Sequence, residues 1–183
     1  MHQLNATFPL GINQDIFLDL MQLHQAPILF DLIDSNRAYL RTWLPWVDKC
    51  QCIADSEQFI RQATASYEQN QALTLGVWYQ TRLVGVINLH HFDRRKRTAS
   101  IGYWLDEAHQ GKGIMTRACQ ELISFGFSSL CLQRVSISCA VENTRSQALA
   151  QRLGFTLEET VKNKAWLYDR YVDHHVYALS SSS

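Results

Sequence analysis

The segment from residue 101 to residue 116 constrains this chain more than any other. Ile101-Gly102-Tyr103-Trp104-Leu105 has the β-branched and aromatic content of a strand, and Met115, Ala118, Cys119, Leu122, Ile123 and Gly126 then share one face of a helix. A short turn with glycines at 111 and 113 joins the two. A strand that runs through such a turn into a helix gathers free backbone N–H groups and the positive end of the helix dipole at one point. That point suits a phosphate or pyrophosphate. Glycine serves there because a side chain would hold the ligand away from the amides, while Lys112 and Thr116 can add donors. The plainer reading is a helix start that uses glycine for a tight turn and binds nothing.

Two common phosphate loops do not fit. A P-loop needs G-x-x-x-x-G-K-[ST], whereas Lys112 stands between two glycines with no upstream Gly and no hydroxyl after it. A dinucleotide loop needs three glycines and a following parallel strand that ends in an acid, and this turn follows an antiparallel meander instead.

That meander is visible in the alternation. Residues 73–79 and 83–89 are β-rich runs joined at Gln80-Thr81-Arg82, and the charged turn Asp93-Arg94-Arg95-Lys96-Arg97 leads into a third strand over 98–105. Four basic residues at a hairpin tip read as a solvated tip rather than a nucleic-acid patch. Upstream, 16–21 fits a short strand, and Ala26, Leu29, Phe30, Ile33, Ala38 and Leu40 fit one or two amphipathic helices with Pro27 in the first turn. Residues 40–47 read as a loop whose Trp43 and Trp46 plug the core, the alternative being a substrate rim. Asp55 or Ser56 can cap a helix through Phe59, Ile60 and Ala63 to Tyr67.

Downstream, 134–141 alternates as a strand, 144–153 is helical and stops at Gly154, and strands over 155–161 and 166–178 complete the order. The expected fold is α+β: a mixed, twisted, mostly antiparallel sheet of about seven strands flanked by helices. At 183 residues one domain spanning 1–183 is expected, with 180–183 as a serine tail.

Seventeen Lys+Arg balance seventeen Asp+Glu, so net charge gives no reason to bind nucleic acid or an anionic membrane. No apolar run nears a membrane span, and Met1-His2-Gln3-Leu4-Asn5 lacks the features of a secretory signal, so the expected location is cytoplasmic. Five cysteines without Cys-x-x-Cys spacing and seven histidines without His-Glu-x-x-His imply reduced thiols and no metal. Cys50-x-Cys52 reads as two ordinary thiols in a loop.

The Gln110-Gly111-Lys112-Gly113-Ile114-Met115 segment resembles the acyl-CoA pyrophosphate loop of the GNAT N-acetyltransferases, whose pattern is Gln/Arg-x-x-Gly-x-Gly/Ala, at Gln110 and Gly113. Met115 departs from the last small residue but is similar to the Gly-Lys-Gly-Ile-Met-Thr variant of the RimJ/RimL branch. Ile101-Gly102-Tyr103-Trp104 resembles that branch's preceding strand. Val141-Glu142-Asn143-Thr144-Arg145-Ser146-Gln147-Ala148 and Arg152-Leu153-Gly154-Phe155 are similar to its strand-Asn-helix-Gly-Phe segment. In order and spacing the resemblance runs from about residue 16 to about residue 178.

The resemblance implies acetyl-CoA as cosubstrate, no metal, and acetyl transfer to a primary amine, foremost a protein N-terminal amine such as that of a ribosomal protein. A small-molecule amine acetyltransferase and a non-catalytic acyl-CoA-binding protein are the alternatives, and a homodimer is left open. It further implies that the pantetheine arm lies along Gly102, Tyr103, Trp104 and Leu105, with a backbone N–H facing the thioester carbonyl. The pyrophosphate would fall on the stretch Gln110, Gly111, Lys112, Gly113, Ile114, Met115 and Thr116. Asn143 would bond the pantetheine arm, Ser146 would protonate the leaving thiolate, and Glu158 would take the amine proton directly or through water. Read from the residues alone, Asn143 is a helix N-cap, Ser146 an exposed hydroxyl and Glu158 a solvated strand residue. Cys139 invites an acetyl-cysteine scheme, but a mid-strand Cys among Val135, Ile137 and Val141 reads as a buried small hydrophobe.

Overall fold

Residues 73–105 form the meander that their alternation predicts: β3 (Leu73–Tyr79), β4 (Arg82–Asp93) and β5 (Thr98–Leu105), paired antiparallel. The computed structural model describes residues 7–181. Before the meander come β1 (Leu10–Gly11), β2 (Ile16–Leu20) and three helices, α1 (Ala26–Ser35), α2 (Arg37–Arg41) and α3 (Ile53–Glu68). After it come α4 (Ile114–Ser128), β6 (Arg134–Ala140), α5 (Thr144–Arg152), β7 (Thr156–Leu167) and β8 (Arg170–Ser180). One eight-stranded sheet has the order β1-β2-β3-β4-β5-β6-β8-β7.

Central β4 is buried from Leu83 to Ile87 and again at Leu89 because helices cover both faces of the sheet there. On one face, Ile114, Ala118, Cys119 and Leu122 of α4 pack on Leu73, Leu75, Val77, Ile87 and Leu89. On the other, Ala26, Leu29 and Ile33 of α1, Leu40 of α2 and Ile60 of α3 pack on Leu83 and Val86. Each fully buried Leu or Ile contributes roughly 1.5–3 kcal/mol, so these two layers hold the strands in register.

Every pairing is antiparallel except β5 with β6, which the α4 crossover makes parallel. Their ladder runs from Thr98↔Arg134 to Ile101↔Ile137 and stops. Beyond it β5 stays with β4 as far as Leu105, and β6 stays with β8 as far as Ala140. The sheet therefore forks, and the fork creates the site.

Several expectations need correction. Helix α3 starts at Ile53 with Cys52 as its N-cap, because the Asp55 carboxylate reaches back to accept the N–H groups of Gln51 (2.8 Å) and Cys52 (3.0 Å). Ser56, the other expected cap, is buried. Strand β7 is longer than expected, β8 starts and ends later than expected, and the two turn at Tyr168-Asp169, not at 162–165. Lys162-Asn163-Lys164 looks like a turn but is a bulge: Asp173 accepts the Asn163 N–H at 2.9 Å and pairs with Lys162 at 2.6 Å. Trp46 is half-buried and packs on the second core layer as expected, whereas Trp43 is half-buried outside it. Ser180 closes β8 rather than opening a tail, and the Ser181 N–H donates to Gln133. Residues 1–5 and 182–183 lie outside the described residues.

Candidate active site

Between the two arms of the fork lies a cleft of about 1290 Å³. Pockets for a single drug-sized ligand span roughly 300–1,000 Å³, so this one has room for a long ligand and a second reactant.

Its floor is β5. Asp106 donates its N–H to Val84 O at 2.8 Å, so by two-residue alternation Trp104 and Gly102 also turn their backbone groups toward β4. Those of Tyr103 and Leu105 then face the cleft, unpaired by β6.

At one end stands the glycine turn. Asp106 begins it, accepting the His109 N–H at 3.2 Å and standing 2.8 Å from His109 Nδ1. Gly111 and Gly113 adopt φ +73° and +71°, a region that disfavours side chains, and a Cβ built on either would meet nothing within 4 Å. That open space is the cradle a side chain would fill. Gly113 caps α4 without a side-chain bond, so the N–H groups of Ile114, Met115 and Thr116 have no intrahelical partner. Three arginines line the same end: Arg117 on α4, and Arg145 and Arg152 seven residues apart on one face of α5. Arg152 reaches Thr116 Oγ1 at 3.2 Å; Arg145 bonds Gln110 Oε1, whose amide nitrogen donates to the Tyr39 hydroxyl. Free amides, a helix dipole and guanidinium groups together suit a diphosphate.

The middle of the cleft holds a hydroxyl pair. Tyr103 OH lies 2.7 Å from Ser146 Oγ, and the Ser146 N–H donates to Asn143 Oδ1 at 3.1 Å as Asn143 caps α5. Burial pushes the Tyr103 phenol far above its ordinary value, so it stays protonated and can donate. Burial likewise raises the Cys139 thiol.

The other end is aromatic. Trp43, Pro45, Trp166 and Leu167 line it, and the Tyr168 hydroxyl donates to Leu44 O at 2.7 Å, tying the β7–β8 turn to the loop after α2. Trp166 is half exposed and stands edge-on to Tyr171 at 4.9 Å. Trp43 is therefore part of a rim.

Of the expected site residues, Gly102, Tyr103, Trp104, Leu105, Gln110, Gly111, Gly113, Ile114, Met115, Thr116, Asn143 and Ser146 all line this cleft. Lys112 does not; its ammonium stands 5.9 Å over the Tyr79 ring. Nor does Glu158. Its carboxylate pairs with both terminal nitrogens of Arg134, which hold it below the usual carboxylate range at a register shift in β7. The three arginines, Tyr39 and Trp166 were missed, while for Trp43 the rim that was weighed as the alternative holds; the seven-residue spacing of Arg145 and Arg152 was the signal available.

The sequence profile of the acetyltransferase (GNAT) domain matches residues 15–156, which spans the meander, the glycine turn and α5. The chain belongs to the GNAT acetyltransferase family. GNAT relatives cover nearly all of it. The ribosomal-protein-serine acetyltransferase of Escherichia coli K12 is 32 % identical over 172 residues, 94 % of this chain and 96 % of that protein. The microcin C7 self immunity acetyltransferase MccE, solved with acetyl-CoA and AMP, superposes with a TM-score of 0.89 at 33 % identity, over 93 % of this chain and 94 % of that one. RimL, the ribosomal L7/L12 α-N-protein acetyltransferase, solved with coenzyme A in a disulfide, gives 0.91 at 27 % identity over 94 % and 98 %. Among the described residues no cluster of three or more His, Cys, Asp or Glu is placed to hold a metal, and no helix is long and apolar enough to cross a membrane.

Proposed function

We propose that this GNAT enzyme moves the acetyl group of acetyl-CoA to a protein N-terminal amine, such as that of a ribosomal protein, by direct transfer with both substrates bound. The observation that carries this reading is the fork at Ile101↔Ile137, opening beside the left-handed Gly111 and Gly113 in a chain alike end to end to a ribosomal-protein acetyltransferase. In this reading residues 102–105 hold the pantetheine arm, with the Tyr103 N–H aimed at the thioester carbonyl where negative charge develops. Gln110, the amides of 111–116 and the three arginines hold the diphosphate. Asn143 bonds the pantetheine arm while capping α5. Ser146, braced by Tyr103, supplies the proton for the departing thiolate. Lys112, directed away, adds only long-range charge.

An N-terminal amine has a pKa of roughly 7.7 to 8.0, so part of it is neutral near pH 7 and positioning supplies most of the acceleration. Five unpaired thiols fit a reducing compartment, in keeping with a cytoplasmic enzyme. A small-molecule acceptor is the second reading, favoured by the aromatic lining of Trp43 and Trp166 at the acceptor end and by the AMP bound to MccE. The test is thiol release from acetyl-CoA with serine- and alanine-initiated peptides, spermidine and an aminoacyl nucleotide analogue as acceptors. Peptide-dependent release upholds the first reading and amine- or nucleotide-dependent release the second. Binding of acetyl-CoA without release under any acceptor overturns both.

A further inference from the structure

Acetyl transfer to an amine liberates a proton, and few groups in the cleft can take it. Glu158 lies outside and holds Arg134. Glu107 and His109 stand at the diphosphate end, and His109 gives its Nδ1 to Asp106. Tyr103 and Cys139 belong to the side where the thiolate departs.

His174 on β8 is placed differently. It is half-buried, lines the cleft and sits opposite Ala140 in register. Its Nδ1 lies 3.0 Å from Ser138 Oγ, and Nε2 makes no hydrogen bond among the described residues. Ser138 is the first residue of β6 after the parallel ladder ends at Ile137, so the pair stands where the strands part. Ile137 and Cys139 belong to the core packed on α4, so by alternation Ser138 projects from the opposite face of the sheet. The hydroxyl pair of Tyr103 and Ser146 thus flanks the fork on one face, and the Ser138–His174 pair flanks it on the other.

We propose that the His174 imidazole, oriented by Ser138, is the base that accepts the proton of the attacking amine. This rests on the acetyltransferase reading above. With the Nδ1–H donating to Ser138 Oγ, Nε2 carries the free lone pair on a ring that lines the cleft. The bound ammonium form of the acceptor passes its surplus proton to Nε2, and the neutral amine nitrogen then forms the C–N bond. Collapse breaks the C–S bond; the thiolate takes a proton relayed from water through Ser146, that water takes the remaining surplus proton of the new amide nitrogen, and the imidazolium releases its proton to solvent. Burial first, and then the Lys164 charge on β7, lower the imidazole below its ordinary value, so it is neutral and able to accept near pH 7. Its other close polar neighbour is Ser138 of β6. On β8 itself, Asp173 is engaged by Lys162, and His175 by the Thr160 hydroxyl. Trp43, Leu44 and Pro45, which line the same cleft, are uncharged.

The experiment measures thiol release by wild type, His174→Gln, His174→Asn and Ser138→Ala between pH 6 and 9. The acceptors are a serine-initiated peptide, an alanine-initiated peptide and spermidine, and melting temperature and CoA affinity serve as controls. With the peptide acceptors, His174→Gln is expected to lower kcat about 10- to 100-fold at pH 6.5 with KM changed less than about twofold, and to approach wild type near pH 9, where an N-terminal amine is already neutral. His174→Asn, which keeps a polar group near Ser138, should show the same pH-dependent deficit, and Ser138→Ala a smaller one. A loss of the same factor at every pH, or an unchanged rate in a folded variant, overturns the assignment while leaving the acetyltransferase reading intact. A wild type that binds acetyl-CoA but releases thiol with none of the acceptors overturns both.

Discussion

At Gly113 a left-handed backbone and an open cradle coincide, which separates two costs of substitution. Gly113→Ala adds only the strain of a side chain at φ +71°, about 1–2 kcal/mol, whereas Gly113→Glu adds the same strain plus a carboxylate among amides meant for an anion. Calorimetry should find CoA binding weakened in the first variant and abolished in the second; equal affinities would remove the diphosphate assignment. Asn143 joins two duties in one side chain, because its Oδ1 already accepts the Ser146 N–H. Asn143→Ala should cost about 1 kcal/mol of stability and also weaken CoA binding. If melting falls while CoA affinity holds, the cap is its whole role. Glu158 makes the opposite point: its acidic, strand-borne position is legible, but its Arg134 partner lies 24 residues away. Glu158→Gln should therefore retain most turnover in the thiol-release assay, and a loss of a hundredfold would return the base to that residue.

Elements whose meaning is local were legible: the alternation of β3 to β5, Gly154 past α5, and Pro27 in the first turn of α1. Those decided at a distance were not. Lys162-Asn163-Lys164 resembles a turn until Asp173, on the neighbouring strand, accepts it as a bulge. Two-residue β1 is too short for any pattern. The same holds for the site: the glycine loop is contiguous in sequence and could be read, whereas Tyr103 meets Ser146 across 43 positions and Ser138 meets His174 across 36. Helix α5 combines both cases, since its cap was legible and its arginine face was not. Arg145 and Arg152 add positive charge at the diphosphate end from partly solvated positions, where screening by salt is appreciable. Arg145→Gln with Arg152→Gln should weaken CoA binding roughly fivefold or more at low salt and flatten its salt dependence. An unchanged salt slope would show that the diphosphate does not reach α5.

For the molecule as a whole, the fork bears on the order of events in the proposed reaction. Both arms end in one cleft, with the glycine turn, α4 and α5 at one end and the aromatic residues of the loop after α2 and of the β7–β8 turn at the other, so under the proposed function two substrates would enter from different sides and meet beyond Ile101↔Ile137. An amine held there can attack the thioester directly, and orientation replaces any need for an enzyme nucleophile. Cys139 lines the same space, and RimL was solved with coenzyme A in a disulfide with one of its own cysteines. In this chain, however, burial raises the Cys139 thiol above its ordinary value and disfavours the thiolate that a covalent route requires. Cys139→Ala should keep most of its turnover, and Ser146→Ala should lower kcat more than it alters KM for the amine, because leaving-group protonation is felt in the transition state. Initial rates against both substrates should give intersecting lines. Parallel lines, or an acetyl-enzyme isolable from wild type and lost in Cys139→Ala, would replace direct transfer with a covalent relay through β6.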